Sequence, residues 1–201
     1  MIKALIFDLG NVILQLNDEL LWETTIFSPL FKEEKYKELI EKEFFEQFEC
    51  GFFNESVFLK QLMDISIYPI QEPEIIAAWN AKISHYPEGN IEVINALKYR
   101  YRIFLLSNTN IIHEKYFLNL LSSKYGGNLF DELFETCFYS HHLKLRKPNQ
   151  KIFEWVLNSI KLNAEECLFL DDNKANILAA KAMGINTIWI KNSTQIQELY
   201  E

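Results

Sequence analysis

The chain has 201 residues, 49% of them hydrophobic and 24% charged, and carries a formal net charge of −8 at pH 7. That length builds one sizeable core with room for a smaller attached module, and the acidic balance argues against a nucleic-acid partner, which needs a basic surface. A small phosphorylated substrate stays open, because one local basic residue or a metal can supply the charge.

The chain opens with an apolar run, Ala4 to Phe7, that stops at Asp8. Such a run reads as a strand buried on both faces, the central kind in a parallel sheet. Asp8 then stands at its carboxyl end, the edge where open α/β sheets bind ligands. The start lacks the long apolar core of a signal peptide, and no run is long enough to span a membrane. Cys50, Cys137 and Cys167 are far apart and form no metal-type pair, so free thiols in a reducing cytoplasm are expected. From Asn17 to about Ile83 the pattern is helical throughout, with no strand signal. Phe31, Tyr36, Leu39, Ile40, Phe44, Phe45 and Phe48 recur at helical spacing, Asn54 is a candidate N-cap, and the aromatic stripe is expected to pack as core.

From Pro87 onward helix and strand alternate. Helices are expected over 92–99, 111–121, 149–159, 174–183 and 195–200, with strands over 102–106, 136–139, 168–170 and 187–190. That alternation predicts an α/β fold, a doubly wound parallel sheet with a helical bundle inserted after the first strand. The expected core is 1–16 and 84–201, and the insert is 17–83. Four strand ends then deliver Asp8, Ser107 with Asn108, Lys147 by way of Arg146, and Asp171 with Asp172 to one edge. Singly each has a plain alternative: a helix cap, a turn or a surface lysine. Together they fit phosphoryl transfer. Carboxylates suit Mg²⁺, which also binds substrate phosphate. A carboxylate can attack phosphorus, and a lysine and a hydroxyl can hold the equatorial oxygens.

These motifs, Ile6 to Ile13, Leu105 to Thr109, Arg146-Lys147-Pro148, and Phe169 to Asn173 with Asn176 and Ala180, resemble the haloacid dehalogenase superfamily of hydrolases over the whole chain. The resemblance implies a Rossmann-like core with a helical cap that closes over the site. It implies Asp8 as nucleophile, with Asp8, the Gly10 carbonyl and Asp172 as Mg²⁺ ligands and Asp171 ligating directly or through water. Ser107, Asn108 and Lys147 would bind the phosphoryl group. One position departs from the pattern. The usual phosphatase carries a second Asp, a general acid and base, two residues after the nucleophile, and here Gly10 stands there. The segments Phe7 to Ile13, Ser107 to Asn110 and Phe169 to Asn173 are also similar to a bacterial branch that dephosphorylates α-glucose 1-phosphate despite this glycine.

Three readings therefore stand. The first is a Mg²⁺-dependent phosphatase of small metabolites, sugar phosphates above all, working through an aspartyl-phosphate on Asp8. The second is a carbon–halogen hydrolase, against which Asp171 and Asp172 argue, since a halide-releasing site needs no metal. The third is a catalytically weak binding protein. Glu49-Cys50-Gly51 lies between two cap helices and is a candidate loop facing the site. His141 and His142 are expected to be solvated in a loop, and His85 and His113 incidental. The oligomeric state is open.

Overall fold

In the computed structural model, residues 1–127 and 129–200 are described. Their strands are β1 (Ala4–Phe7), β2 (Gln15–Leu16), β3 (Ile83–His85), β4 (Arg102–Ser107), β5 (Thr136–Tyr139), β6 (Cys167–Asp171) and β7 (Asn186–Trp189). Five of them form one sheet in the order β5-β4-β1-β6-β7, every pairing parallel. β1 is central, and all four of its residues are buried. The alternation of a strand splits them between two layers. Leu5 and Phe7 join Ile103, Leu105 and Leu170 on one face, and Ala4 and Ile6 join Phe104, Leu106 and Phe169 on the other.

Helices α1 (Glu19–Trp22), α2 (Glu33–Glu41), α3 (Phe44–Glu49), α4 (Glu55–Ile65) and α5 (Glu72–Asn80) make up the insert. The remainder, α6 (Asn90–Leu97), α7 (Ile111–Tyr125), α8 (Leu129–Leu133), α9 (Ser140–Leu143), α10 (Gln150–Ile160) and α11 (Lys174–Ala182), belong to the sheet. In α10, Ile152, Phe153, Val156 and Ile160 form one buried stripe, and the Asn149 side chain accepts the Lys151 N–H at 3.0 Å to cap the start. The expected doubly wound sheet with a helical insert after its first strand is present.

The insert has its own core, built from the aromatic stripe seen in the sequence. Trp22, Phe27, Phe44, Phe48, Phe58 and Trp79 are buried in one cluster, with Phe48 stacked on Phe58 at 4.0 Å between ring centroids. Ile40, assigned to that stripe, is instead exposed.

The stretch from Asn17 to about Ile83 is helical as expected, and the strands that flank it are what the sequence did not signal. β2 and β3 pair antiparallel at the base of the insert, Gln15 opposite His85 and Leu16 opposite Ile83. Strands of two and three residues are too short to carry an alternation. The final segment, Gln195–Tyr200, is a 3₁₀ helix rather than an α-helix. Cys50, Cys137 and Cys167 are free thiols, and among the described residues no helix is long and apolar enough to cross a membrane.

Candidate active site

The carboxyl edge of the sheet gathers Asp8, Lys147, Asp171 and Asp172. Lys147 is 1% exposed. Its ammonium donates to Asp8 Oδ1 at 2.7 Å, to Asp171 Oδ2 at 2.7 Å and to the Leu106 carbonyl at 2.8 Å, which uses all three of its protons. Burial alone would lower the lysine pKa, but the charges and hydrogen bonds of Asp171 and Asp8 exceed that effect and raise it. Asp8 is pushed up to about 7, first by burial, then by the neighbouring charges of Asp171 and Asp172, while Lys147 pulls the other way. Asp172 is also raised, chiefly by burial.

Carboxylate oxygens of Asp8, Asp171 and Asp172 all lie within 4.8 Å of one another. Three carboxylates face one ammonium, so two negative charges are uncompensated. A hard divalent cation with oxygen ligands fits that donor set in charge and in chemistry.

Surrounding side chains fix each acid. Asp171 Oδ1 accepts from the Asn173 N–H at 2.8 Å and from Asn176 Nδ2 at 3.0 Å, and its Oδ2 accepts from Asn176 Nδ2 at 3.0 Å and from Lys147. All four of its acceptor positions are thereby used. Asn11, with φ of 54°, donates to Asp172 Oδ2 at 3.0 Å and accepts from the Leu16 N–H at 3.1 Å. It ties the loop after β1 to the acid after β6. The Asn108 side chain donates to the Lys147 carbonyl and accepts from the Lys147 N–H, both at 2.9 Å, so it positions the lysine. Asn11 lies within the first sequence motif, but its turn-forming habit hides this longer-range role there.

A cavity of about 90 Å³ adjoins these groups, lined by Gly10, Ser107, Asn108, Glu49, Trp79 and His113. Glu49 and Trp79 also wall a second cavity of about 240 Å³ on the insert, with Glu23, Tyr36 and Glu46, closed from the sheet side by Arg146. An outer cleft of about 830 Å³ opens over Asn11 and Asp172. Glu49, at the end of α3, faces the site as the loop position suggested. Its carboxylate accepts from Arg146 Nη2 at 3.0 Å, and its carbonyl accepts from Ser140 Oγ at 2.6 Å. Burial raises its pKa, with Arg146 and Lys82 opposing and Glu46 and Glu19 reinforcing. Gly10 makes room for the β2 turn: a Cβ there would stand 2.8 Å from Leu16 Cδ1.

Two histidines depart from expectation. His113 is not incidental. Its ring stacks on Trp79 at 5.0 Å, Nε2 donates to the Trp79 carbonyl at 3.0 Å, and Nδ1 accepts from Asn110 Nδ2 at 3.2 Å. The Asn110 orientation follows from its oxygen, which accepts the Ile112 and His113 N–H groups. Burial lowers the His113 pKa to about 4. His141 is not solvated in a loop. It is 7% exposed and lies with the exposed His142 on α9, a single turn too short to leave a periodic signature. His85 is exposed.

Residues 2–184 match the haloacid dehalogenase-like hydrolase family. The chain is 26% identical over 193 residues to the D-ribitol-5-phosphate phosphatase of Bacteroides thetaiotaomicron, covering 96% of this chain and 93% of that one. It is 25% identical over 204 residues to the glyceraldehyde 3-phosphate phosphatase of Pyrococcus abyssi, covering 95% and 82%. A solved HAD family enzyme of Bacteroides thetaiotaomicron, in complex with magnesium and inorganic phosphate, superposes with a TM-score of 0.84 at 27% identity over 100% of both chains.

Proposed function

The chain belongs to the haloacid dehalogenase-like hydrolases, and from that premise we propose that it is a Mg²⁺-dependent phosphatase of small phosphorylated metabolites, with Asp8 as nucleophile. The observation that carries this reading is the set of three carboxylates around one buried ammonium. A halide-releasing site gains nothing from that excess negative charge, and a site that only binds needs no lysine held between two acids. In this reading 1–16 and 84–201 form the core, and 17–83 the cap that excludes water and selects the substrate.

Lys147 engages Asp8 Oδ1, and the second Asp8 oxygen attacks phosphorus. The new O–P bond forms as the bond to the leaving alcohol breaks, and water then cleaves the acyl phosphate and restores Asp8. Lys147 and the Ser107 hydroxyl hold the phosphoryl oxygens, and Asn108 acts by fixing Lys147. Asp8, Asp172 and the Gly10 carbonyl would hold the Mg²⁺, which would supply the positive charge that a phosphate needs beside three carboxylates. Asp171 orients Lys147 and would act on the ion through its charge or a water.

The leaving alcohol needs a proton, and Gly10 has no side chain to give one. Among the described residues lining the cavity beside Gly10 and Ser107, Glu49 is the one carboxyl, and it takes that role here. Substrates are sugar or polyol phosphates. The insert cavity offers the Trp79 and Tyr36 rings to C–H faces and Glu23, Glu46 and Arg146 to hydroxyl groups.

The test is phosphate release from ribitol 5-phosphate, glyceraldehyde 3-phosphate and α-glucose 1-phosphate, with Mg²⁺ and with chelator, for wild type and Asp8→Asn. Mg²⁺-dependent turnover that Asp8→Asn abolishes supports the reading, and the ranking identifies the substrate, including the α-glucose 1-phosphate activity that the sequence resemblance implies. Halide release from a 2-haloacid without metal, or no turnover on any phosphate, overturns it.

A further inference from the structure

Just beyond β5, where α9 meets the first turn of α7, lies a second cluster of donor groups. Glu114 of α7 and the consecutive His141 and His142 of α9 bring one carboxylate oxygen and two imidazole nitrogens within 4.8 Å of one another. Glu114 Oε2 is 2.8 Å from His141 Nε2 and 3.3 Å from His142 Nε2, and the two rings are 4.2 Å apart between centroids.

A purely structural ion pair would need one imidazole, yet both converge on a single oxygen. His141 is 7% exposed and its Nδ1 has no hydrogen-bond partner among the described residues. His142 is the open side, 54% exposed at its side chain. A cavity of about 320 Å³, shared with Gly51 and Lys144, leads to the pair.

We propose that Glu114, His141 and His142 form a binding site for one zinc-class transition-metal ion, separate from the magnesium centre. Two imidazoles and a carboxylate suit a borderline ion with an open fourth position, and not Mg²⁺, which takes oxygen ligands. Tetrahedral ligands at 2.0–2.1 Å from such an ion stand about 3.3 Å apart. The His142–Glu114 spacing already has that value, and the His141–Glu114 hydrogen bond opens by about half an ångström once its proton leaves. His142 faces His141 and Lys144 as well as Glu114.

The position gives such an ion a mechanical effect. α9 also holds Ser140, whose hydroxyl donates to the Glu49 carbonyl at 2.6 Å, and is followed by Lys144, which donates to the Gly51 carbonyl. Both contacts clamp the insert to the core. An ion joining α7 to α9 braces that clamp.

The experiment titrates Co²⁺ into tag-free full-length protein in the presence of excess Mg²⁺, reading visible d–d absorption, followed by Zn²⁺ competition. The expected result is one Co²⁺ per chain with the intense bands of a four-coordinate nitrogen-containing site, displaced by Zn²⁺. His142→Ala, at an exposed position, and the near-isosteric Glu114→Gln each weaken binding by about tenfold or more, while Asp172→Asn leaves the bands intact. Bands that are absent, that persist undiminished in His142→Ala and Glu114→Gln, or that disappear in Asp172→Asn overturn the proposal.

Discussion

His113 makes the stability of the protein depend on pH in a calculable way. Its pKa in the folded protein is about 4, against about 6.5 for an unperturbed histidine. Protonation would place an Nδ1–H against Asn110 Nδ2, already a donor across 3.2 Å. Between those two values the unfolded chain takes up a proton that the folded chain refuses, so stability is full above about pH 6.5 and falls as the pH drops toward 4. From pH 7.5 to pH 4.5 the loss through this one group amounts to about 2.5 kcal/mol. Other groups titrate in the same range, so the quantity to measure is a difference. Urea unfolding of wild type and His113→Gln, at half-unit intervals over that range, isolates the histidine. Wild type should lose about 2.5 kcal/mol relative to the variant, with the His113 ring proton resonances showing no titration above pH 5. A difference that stays flat across the range, or a ring that titrates near 6.5, would refute the assignment of His113 as a locked neutral imidazole.

Glu49→Gln should lower kcat by about a hundredfold or more on ribitol 5-phosphate, with its alkoxide leaving group, and leave an aryl phosphate nearly untouched; equal losses on both would mark Glu49 as merely structural. Lys147→Met leaves Asp8 and Asp171, each 2.7 Å from the lost ammonium, facing one another without a cation. Its unfolding free energy in chelator should drop by about 3–5 kcal/mol, and added Mg²⁺ should recover part of that loss. Gly51 has φ of +61°, and a Cβ there would stand 2.3 Å from the His141 carbonyl oxygen. Gly51→Ala should therefore cost about 2 kcal/mol in thermal or urea melts, and because it pushes the Glu49 loop off α9 it should raise KM as well.

The sequence by itself determined the sheet and the identity of its polar edge. Central parallel strands are buried on both faces, so β1, β4 and β6 appear as short apolar runs, and each run ends where a polar residue meets solvent or ligand. Asp8, Ser107 and Asp171 are legible for that reason. The aromatic stripe of the insert was equally plain, since helical spacing exposes its period. What only the tertiary structure decided is which polar groups satisfy one another. The resemblance makes Asp171 a metal ligand, directly or through water, and only the structure shows that Asn173, Asn176 and Lys147 all hydrogen-bond to it. His113 looked incidental until α5 brought the Trp79 carbonyl to its ring. Glu114 and His141, 27 positions apart, meet because α9, following β5, reaches the first turn of α7. The β2–β3 ribbon pairs Gln15 with His85 and Leu16 with Ile83, 70 and 67 positions apart, and is too short for any periodicity. Hydrophobic burial repeats along the chain and leaves a pattern, whereas a hydrogen bond between distant side chains depends on a distance that no local pattern records.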